Sequence, residues 1–543
     1  MRAASLPAVI LALGCGRPAA PPGPSPATLA AAESLYLDTR DLRDRIDVLD
    51  ASGADKAPDG TTRALLVRRY DSLRPRLATR LAGVDSTSLG ADDARALGMM
   101  RRTLARDLGE APAPDTTRTA TAPDCAYDPR TVDAADSLRA RIYACYGWTQ
   151  AHLLTDGDTV DRLTLLGGLG RSEDPEQRRR EFLALAPVWR SMNGENDAGS
   201  PYRRLITLEA ARSRGRELPA EAQARATGIE PDSLEHWLVA ILETWRDVTP
   251  SALVEPWDWY YQTGRASRVL SARIPLERLA RLNDSVYQAL GADLTALRVR
   301  YDLAPRDGKT PVAFTTFGGR RPIVPWVFAT YRTGGLDNLN ELLHETGHAI
   351  HLAAIRTRPA YTDWPDADPF TEAVADFIAL EVYEPAWQQR WLGDSVPLAD
   401  GLRGRYGAIL LDMSWALFEL RMLRDPSADP NLVWARLTQD YLHIRAHPEL
   451  AWWAMRGQLV DEPGYMMNYA AGAIVIAAIR ERTRARHGDF TRGDPGWYAW
   501  VAPRLYRYGL ERPTREVVEG FLGGPVSPAA LLTDLHRMPR TVP

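Results

Sequence analysis

The run Asn340-Glu341-Leu342-Leu343-His344-Glu345-Thr346-Gly347-His348-Ala349-Ile350-His351 places His-Glu-x-x-His inside a helical pattern of apolar residues. Each residue of an α-helix turns by about 100°, so His344 and His348 lie one turn apart on one face. Two imidazoles so placed can share a tetrahedral Zn²⁺, one per chain. Glu345 projects from the neighbouring face, where a carboxylate can act on water as a general base without ligating the metal. Leu342, Leu343, Ala349 and Ile350 bury the rest of the helix. Five residues match by chance often enough that a third ligand must be found elsewhere.

The next helical run, residues 369–384, contains Phe370-Thr371-Glu372-Ala373-Val374-Ala375-Asp376-Phe377. Glu372 and Asp376 stand four apart and share a face. Glu372 suits the third ligand, and Asp376 suits acceptance of the second N–H of a ligand imidazole. The bland alternative is a solvated acidic face. Val374, Phe377, Ile378 and Leu380 argue against it, because an unpaired carboxylate on a mostly buried helix is costly. Asp363, Asp366 and Asp368 are the other carboxylates in reach of the ligand role.

His344-Glu345-Thr346-Gly347-His348 followed by Glu372-Ala373-Val374-Ala375-Asp376 resembles the gluzincin metallopeptidases. The Glu-x-x-x-Asp helix and its spacing look like the angiotensin-converting enzyme family, and the extension through Gly347 and His351 is similar to the thimet oligopeptidase family. The specific likeness covers residues 336–384. It implies a mainly α, two-lobed helical clamshell with a deep central cleft and a small β-sheet beside the zinc-binding helix. It also implies Zn²⁺ on His344, His348 and Glu372, Glu345 as base, Asp376 behind a ligand imidazole, and short peptides as substrates. His351 shares the histidine stripe but sits about one turn beyond the pair, so support or core packing suits it better than ligation.

Both families supply a Tyr, commonly with a His, to the developing oxyanion. Here Gly464-Tyr465 with Tyr469 resembles the Gly-Tyr-x-x-x-Tyr element of the thimet family, but Ala470 and Gly472 replace further tyrosines and Val460 replaces the His. Tyr469 is the first candidate and Tyr465 the second. His443 and His447 are stand-ins for the missing His, or else capping or surface residues. Arg456 is a candidate for binding a peptide C-terminal carboxylate, against the plainer reading of a surface Arg.

The remaining sequence sets the context. A chain of 543 residues exceeds one ordinary core, so two to four lobes are expected. Its 45% hydrophobic and 25% charged content is that of a globular protein. A net charge of −4 with no long basic run argues against nucleic acid as a partner. Lys56 and Lys309 are the only lysines, which reads as genomic base composition. Met1-Arg2, the apolar residues 6–13 and Gly14-Cys15-Gly16 read as a signal/lipobox segment (1–15), despite Ala12 where Leu is usual. Lipidation at Cys15 would tether an exported, monomeric protein to the bacterial periplasmic membrane or cell envelope; the alternative is a simple cleaved signal. In an oxidising compartment Cys125 and Cys145 form a natural disulfide pair, or they are two unrelated thiols.

Residues 16–28 read as a Pro/Ala-rich tether, 29–300 as an N-terminal helical lobe, and 301–543 as the catalytic region with the small sheet, the zinc helices and a C-terminal helical lobe. Helical periodicity covers, among others, residues 62–81, 91–108, 134–154, 159–169, 231–248, 275–301, 398–424, 430–444 and 465–487, with 249–272 irregular. Residues 311–317 and 323–331 are the convincing strands, an edge suited to an extended substrate or a plain hairpin. Asp337 or Asn338 is the expected cap of the motif helix, and Asp368 that of the next. The expected function is zinc-dependent hydrolysis of short peptides, of oligopeptidase or peptidyl-dipeptidase type. The alternative is a catalytically silent envelope lipoprotein that keeps the fold as a binding scaffold.

Overall fold

A computed structural model describes residues 28–87, 89–106, 122–155, 157–310 and 312–538. The signal/lipobox segment, Cys15 and nearly all of the tether lie outside the described residues. The described residues are mainly helical and form two small sheets. Most helices lie within a few residues of where periodicity puts them: Arg63–Ala82, Ala91–Arg106, Pro231–Val248, Leu398–Arg424 and Pro430–Leu442. Side-chain caps start several, as when Thr62 accepts from the Leu65 amide and Asp429 from those of Asn431 and Leu432. No described helix is long and apolar enough to cross a membrane.

Strands Leu153–Thr155 (β1) and Asp158–Val160 (β2) form an antiparallel hairpin where the periodicity predicts the end of one helix and the start of another. The Asp156-Gly157 pair is a tight-turn signal that outweighs the short apolar pattern. Strands Arg300–Asp302 (β3), Phe314–Arg320 (β4) and Ile323–Phe328 (β5) form the second sheet, in the order β3-β5-β4. β3 falls at the end of the expected 275–301 helix, which instead stops at Ala289. Gly291 turns the chain there at φ 80°, against the Pro495 carbonyl, where a Cβ would come within 2.2 Å. β5 is central yet contains Pro325, which pairs with Phe317 of β4 and lies beyond the β3 register, Arg300–Asp302 against Trp326–Phe328. The expected irregular stretch 249–272 contains two short helices, Trp259–Thr263 and Arg265–Leu270.

The motif helix runs Leu336–Ala354 without a side-chain cap; Gly335 occupies that position. Asp337 instead accepts from the Ser267 hydroxyl at 2.7 Å, and Asn338 donates to the Thr333 and Gly334 carbonyls. The following helix is Asp368–Ala379, so Asp368 and Pro369 open its first turn and Ala367 precedes it.

One hydrophobic cluster runs from Ala135 to Met538, straight through position 300. A separate small cluster joins the first three helices, residues 32–100, to Ala360 and Tyr361. Three helices stack at the centre: the motif helix, the Glu372 helix and Met467–His487. Two glycines permit the stacking. A Cβ on Gly347 would stand 2.6 Å from the Ala375 carbonyl oxygen, and one on Gly472 would stand 2.9 Å from that of Pro369. Gly472 occupies a place where the resembled family has a tyrosine, and the backbone approach leaves no room for one.

Candidate metal centre

His344, His348 and Glu372 each present one donor atom, and the three lie within 4.8 Å of one another. His344 Nε2 is 3.5 Å from Glu372 Oε2, and His348 Nε2 is 3.9 Å from Glu372 Oε1. Ligands of a tetrahedral Zn²⁺ with bonds near 2.0–2.1 Å stand about 3.4 Å apart, so the two carboxylate–imidazole separations come within about half an ångström of that spacing. Two nitrogens and one carboxylate also match the donor chemistry of a catalytic zinc site with one open position.

The surroundings fix the ligand orientations. Asp376 Oδ1 lies 2.7 Å from His344 Nδ1, which assigns the proton to Nδ1 and leaves Nε2 to face Glu372. Burial opposes a charge on His344, but Asp376 and Glu372 outweigh it and raise its pKa well above the ordinary value. Burial and then the neighbouring His344 push His348 down to about 3. Glu372 would be raised by burial, yet the two imidazoles hold it at about 2. Without a cation, then, the donors already behave as a carboxylate between imidazoles.

Glu345 is 6% exposed, and burial pushes its carboxyl up to about 7 against the opposing pull of His344 and Thr315. The Thr315 hydroxyl, on β4, lies 2.7 Å from Glu345 Oε2 and 2.8 Å from the Glu345 carbonyl. Nothing in the sequence pattern singles out Thr315. It is a threonine in a strand, and only the packing of that strand on the motif helix gives it a partner.

His344, Glu345, His348 and Glu372 open into a cleft of about 660 Å³. Phe314 and Thr315 of β4, with Ala313 just before it, form one wall. Ile409 and Asp412 of Leu398–Arg424 contribute another, and Tyr465 and Tyr469 also line the space. The two tyrosine rings are 6.0 Å apart between centroids, and burial pushes the Tyr465 hydroxyl up to about 12 and Tyr469 higher still. Both are therefore protonated donors at neutral pH.

The other candidates are placed as follows. His351 is fully buried among Trp364, Phe370 and Tyr506, with neither ring nitrogen hydrogen-bonded. Arg456 is half-buried and has a carboxylate of its own, that of Asp412, while its guanidinium lies 5.0 Å over Trp415 and 5.8 Å over Tyr469. Asp363 pairs with Arg40 and Arg320, Asp366 accepts from Thr514, and Asp368 lines the cleft at its rim. His443 ends a helix at φ 57° and contacts the Arg246 carbonyl, and His447 bridges Glu255 and Glu449. Neither of those histidines lines the cleft. Cys125 and Cys145 are joined as a disulfide, with Cα atoms 5.7 Å apart.

No protein-family model matches the chain, and no curated protein sequence is significantly similar to it. Solved structures share its fold. A putative oligoendopeptidase F superposes with a TM-score of 0.55 at 17% identity, over 95% of this chain and 96% of that one. PZ peptidase A, solved with an inhibitor, gives 0.56 at 15% identity over 93% and 96%. A carboxypeptidase from Deinococcus radiodurans gives 0.54 at 15% over 93% and 97%. At these identities the likeness establishes the fold, a helical one that runs the length of both chains in each comparison.

Proposed function

We propose that the chain is a zinc-dependent metallopeptidase that hydrolyses short peptides, of oligopeptidase or peptidyl-dipeptidase type. One observation carries the reading: three convergent zinc donors, a buried carboxylate and two protonated tyrosines open on one cleft. The folds of three peptidases support it. His344, His348 and Glu372 would hold the ion, which supplies a Lewis acid that acidifies water and polarises a carbonyl.

The chain's own groups do the rest. Thr315 occupies Oε2 of Glu345, which leaves Oε1 to take the proton of the attacking water and pass it to the leaving amine. Tyr469, with Tyr465 beside it, donates its hydroxyl to the oxyanion that develops on the scissile carbonyl. Asp376 keeps the His344 proton on Nδ1. Arg456, neutralised by Asp412 and set against the Tyr469 ring, braces that tyrosine in place of anchoring a substrate carboxylate. The half-buried start of β4, an edge strand, offers its backbone to an extended peptide. Export, a lipid anchor at Cys15 and a monomeric state belong to the same proposal and rest on the sequence.

Replacing Glu345→Gln tests the reading. Peptide hydrolysis should fall by about 10³-fold or more while one zinc per chain is retained. Near-normal turnover would refute the mechanism. Equal cleavage of peptides with free and amidated C-termini would identify the oligopeptidase type.

A further inference from the structure

A second cavity, of about 510 Å³, lies between the last turns of Met467–His487, the segment 497–512 and the helix Thr514–Leu522. It shares no lining residue with the catalytic cleft. Its walls carry Arg482, Arg486, Arg504 and Arg512 against one acid, Glu516. Arg482 and Arg486 stand one turn apart on the same helix face, and Trp500, Arg504, Tyr508 and Arg512 follow at intervals of four.

These four arginines gather on one cavity. Many guanidinium groups of the molecule meet carboxylates: Arg358 pairs with Glu33, Asp92 and Asp93, and nearby Arg515 with Glu230 and Glu519. None of the four has a carboxylate within ion-pair distance among the described residues, and all four are exposed. The C-terminal dipole of Met467–His487 amounts to about half a charge, shared among Arg484, Arg486 and His487 of its last turn. A concentrated positive charge therefore remains without a partner inside the protein.

The aromatic floor gives that charge a shape. Trp500 packs on Phe521 with centroids 5.0 Å apart. Arg504 lies 5.6 Å over the Trp500 ring and is fixed by a bond from Nη1 to the Trp500 carbonyl at 3.1 Å, while Arg512 lies 5.0 Å over Tyr508. Rings beneath the guanidinium groups restrict their motion, and the exposed groups keep N–H donors of the kind that take a phosphate by paired hydrogen bonds.

We propose that this cavity binds a phosphate-bearing anion, remote from and independent of the metal centre. The phosphate comes either from a small soluble polyanion or from a lipid headgroup at a membrane surface, and the experiment separates the two. The full-length protein and its Arg504→Ala/Arg512→Ala double variant are titrated with inorganic pyrophosphate by calorimetry. Both are also co-sedimented with vesicles of equimolar phosphatidylglycerol and phosphatidylcholine and with vesicles of phosphatidylcholine alone. The replaced side chains are exposed, and an unchanged thermal midpoint confirms that the variant is folded.

Pyrophosphate binding that the double variant weakens about tenfold or more supports the site and a soluble ligand. Loss, in the variant, of sedimentation that requires phosphatidylglycerol supports the site and a headgroup ligand. The proposal is overturned if neither probe binds, or if the variant matches the parent within about twofold. Pyrophosphate binding that survives in the variant belongs to the metal centre and counts against the site.

Discussion

The Glu372 helix and the turn that follows it carry carboxylates at both ends, half-buried at the cleft and buried beyond it, and the two ends are treated in opposite ways. At the cleft, Glu372 and Asp376 meet the imidazoles of His344 and His348 and no arginine. One turn beyond the helix, Glu381 meets Arg480 and Arg484, and Glu384 meets Arg405 and Arg537. Asp534 completes that second group through Arg405 and Arg537. Arg405 and Arg480 are almost wholly buried, so the network supplies its own counter-charges there, while Arg484 and Arg537 form its partly exposed edge. The cleft carboxylates face imidazoles in place of guanidinium groups, His344 raised by them and His348 held neutral by burial. Arginine pairs lock helices together, whereas a carboxylate among imidazoles is a donor set that suits a cation.

Glu372→Gln should break the comparison most severely. It removes one of three donors, so zinc measured in the purified protein should fall to a small fraction of one per chain and peptide hydrolysis to background. Unfolding in the presence of a chelator should show a modest loss of stability, because the contact of Glu372 with the raised His344 imidazole is removed.

At the other end Glu384→Gln should do the reverse. Leaving Arg405 with one partner fewer should cost about 3 kcal/mol in denaturant unfolding, with zinc content and turnover per folded molecule unchanged. The same network sets an acid limit. Burial would raise Glu384, but Arg405 and Arg537 hold it down at about 2. A depressed folded pKa gives stability that is present above the unfolded value of about 4.5 and is lost as pH falls through about 2. The stability gap between parent and Glu384→Gln should therefore be full at pH 6 to 7 and shrink over that acid window. A constant gap would contradict the assignment.

Smaller effects sharpen the cleft side. Asp376→Asn should weaken zinc affinity by about 10–100-fold in competition with a chelating dye, since His344 loses its orienting acceptor. Thr315→Val should retain zinc and reduce turnover by about tenfold, the worth of one hydrogen bond to a charged group.

The donors were legible in the sequence because helix geometry converts spacing into position. His344 and His348 share a face by arithmetic, and so do Glu372 and Asp376. The family likeness adds Tyr465 and Tyr469 as candidates, and the structure brings both to the cleft. What escaped was set by backbone and tertiary packing. β3 is three residues long, shorter than any periodicity can mark, and exists only because β5 pairs with it. The β1–β2 hairpin falls between helical patterns, with one Asp-Gly pair in the sequence as its local signal. Thr315 and Asp412 have no local signature, because each is defined by a partner some 30 to 44 residues away. Gly472 looked like a departure from a tyrosine pattern, and the structure gives it a reason in the Pro369 carbonyl.

X-ray absorption at the zinc edge of the purified protein tests the central claim most directly. The account predicts a shell of nitrogen and oxygen atoms only, at about 2.0–2.1 Å, with the outer scattering of two imidazoles. A sulfur shell at about 2.3 Å, or a protein that holds no zinc, would contradict it.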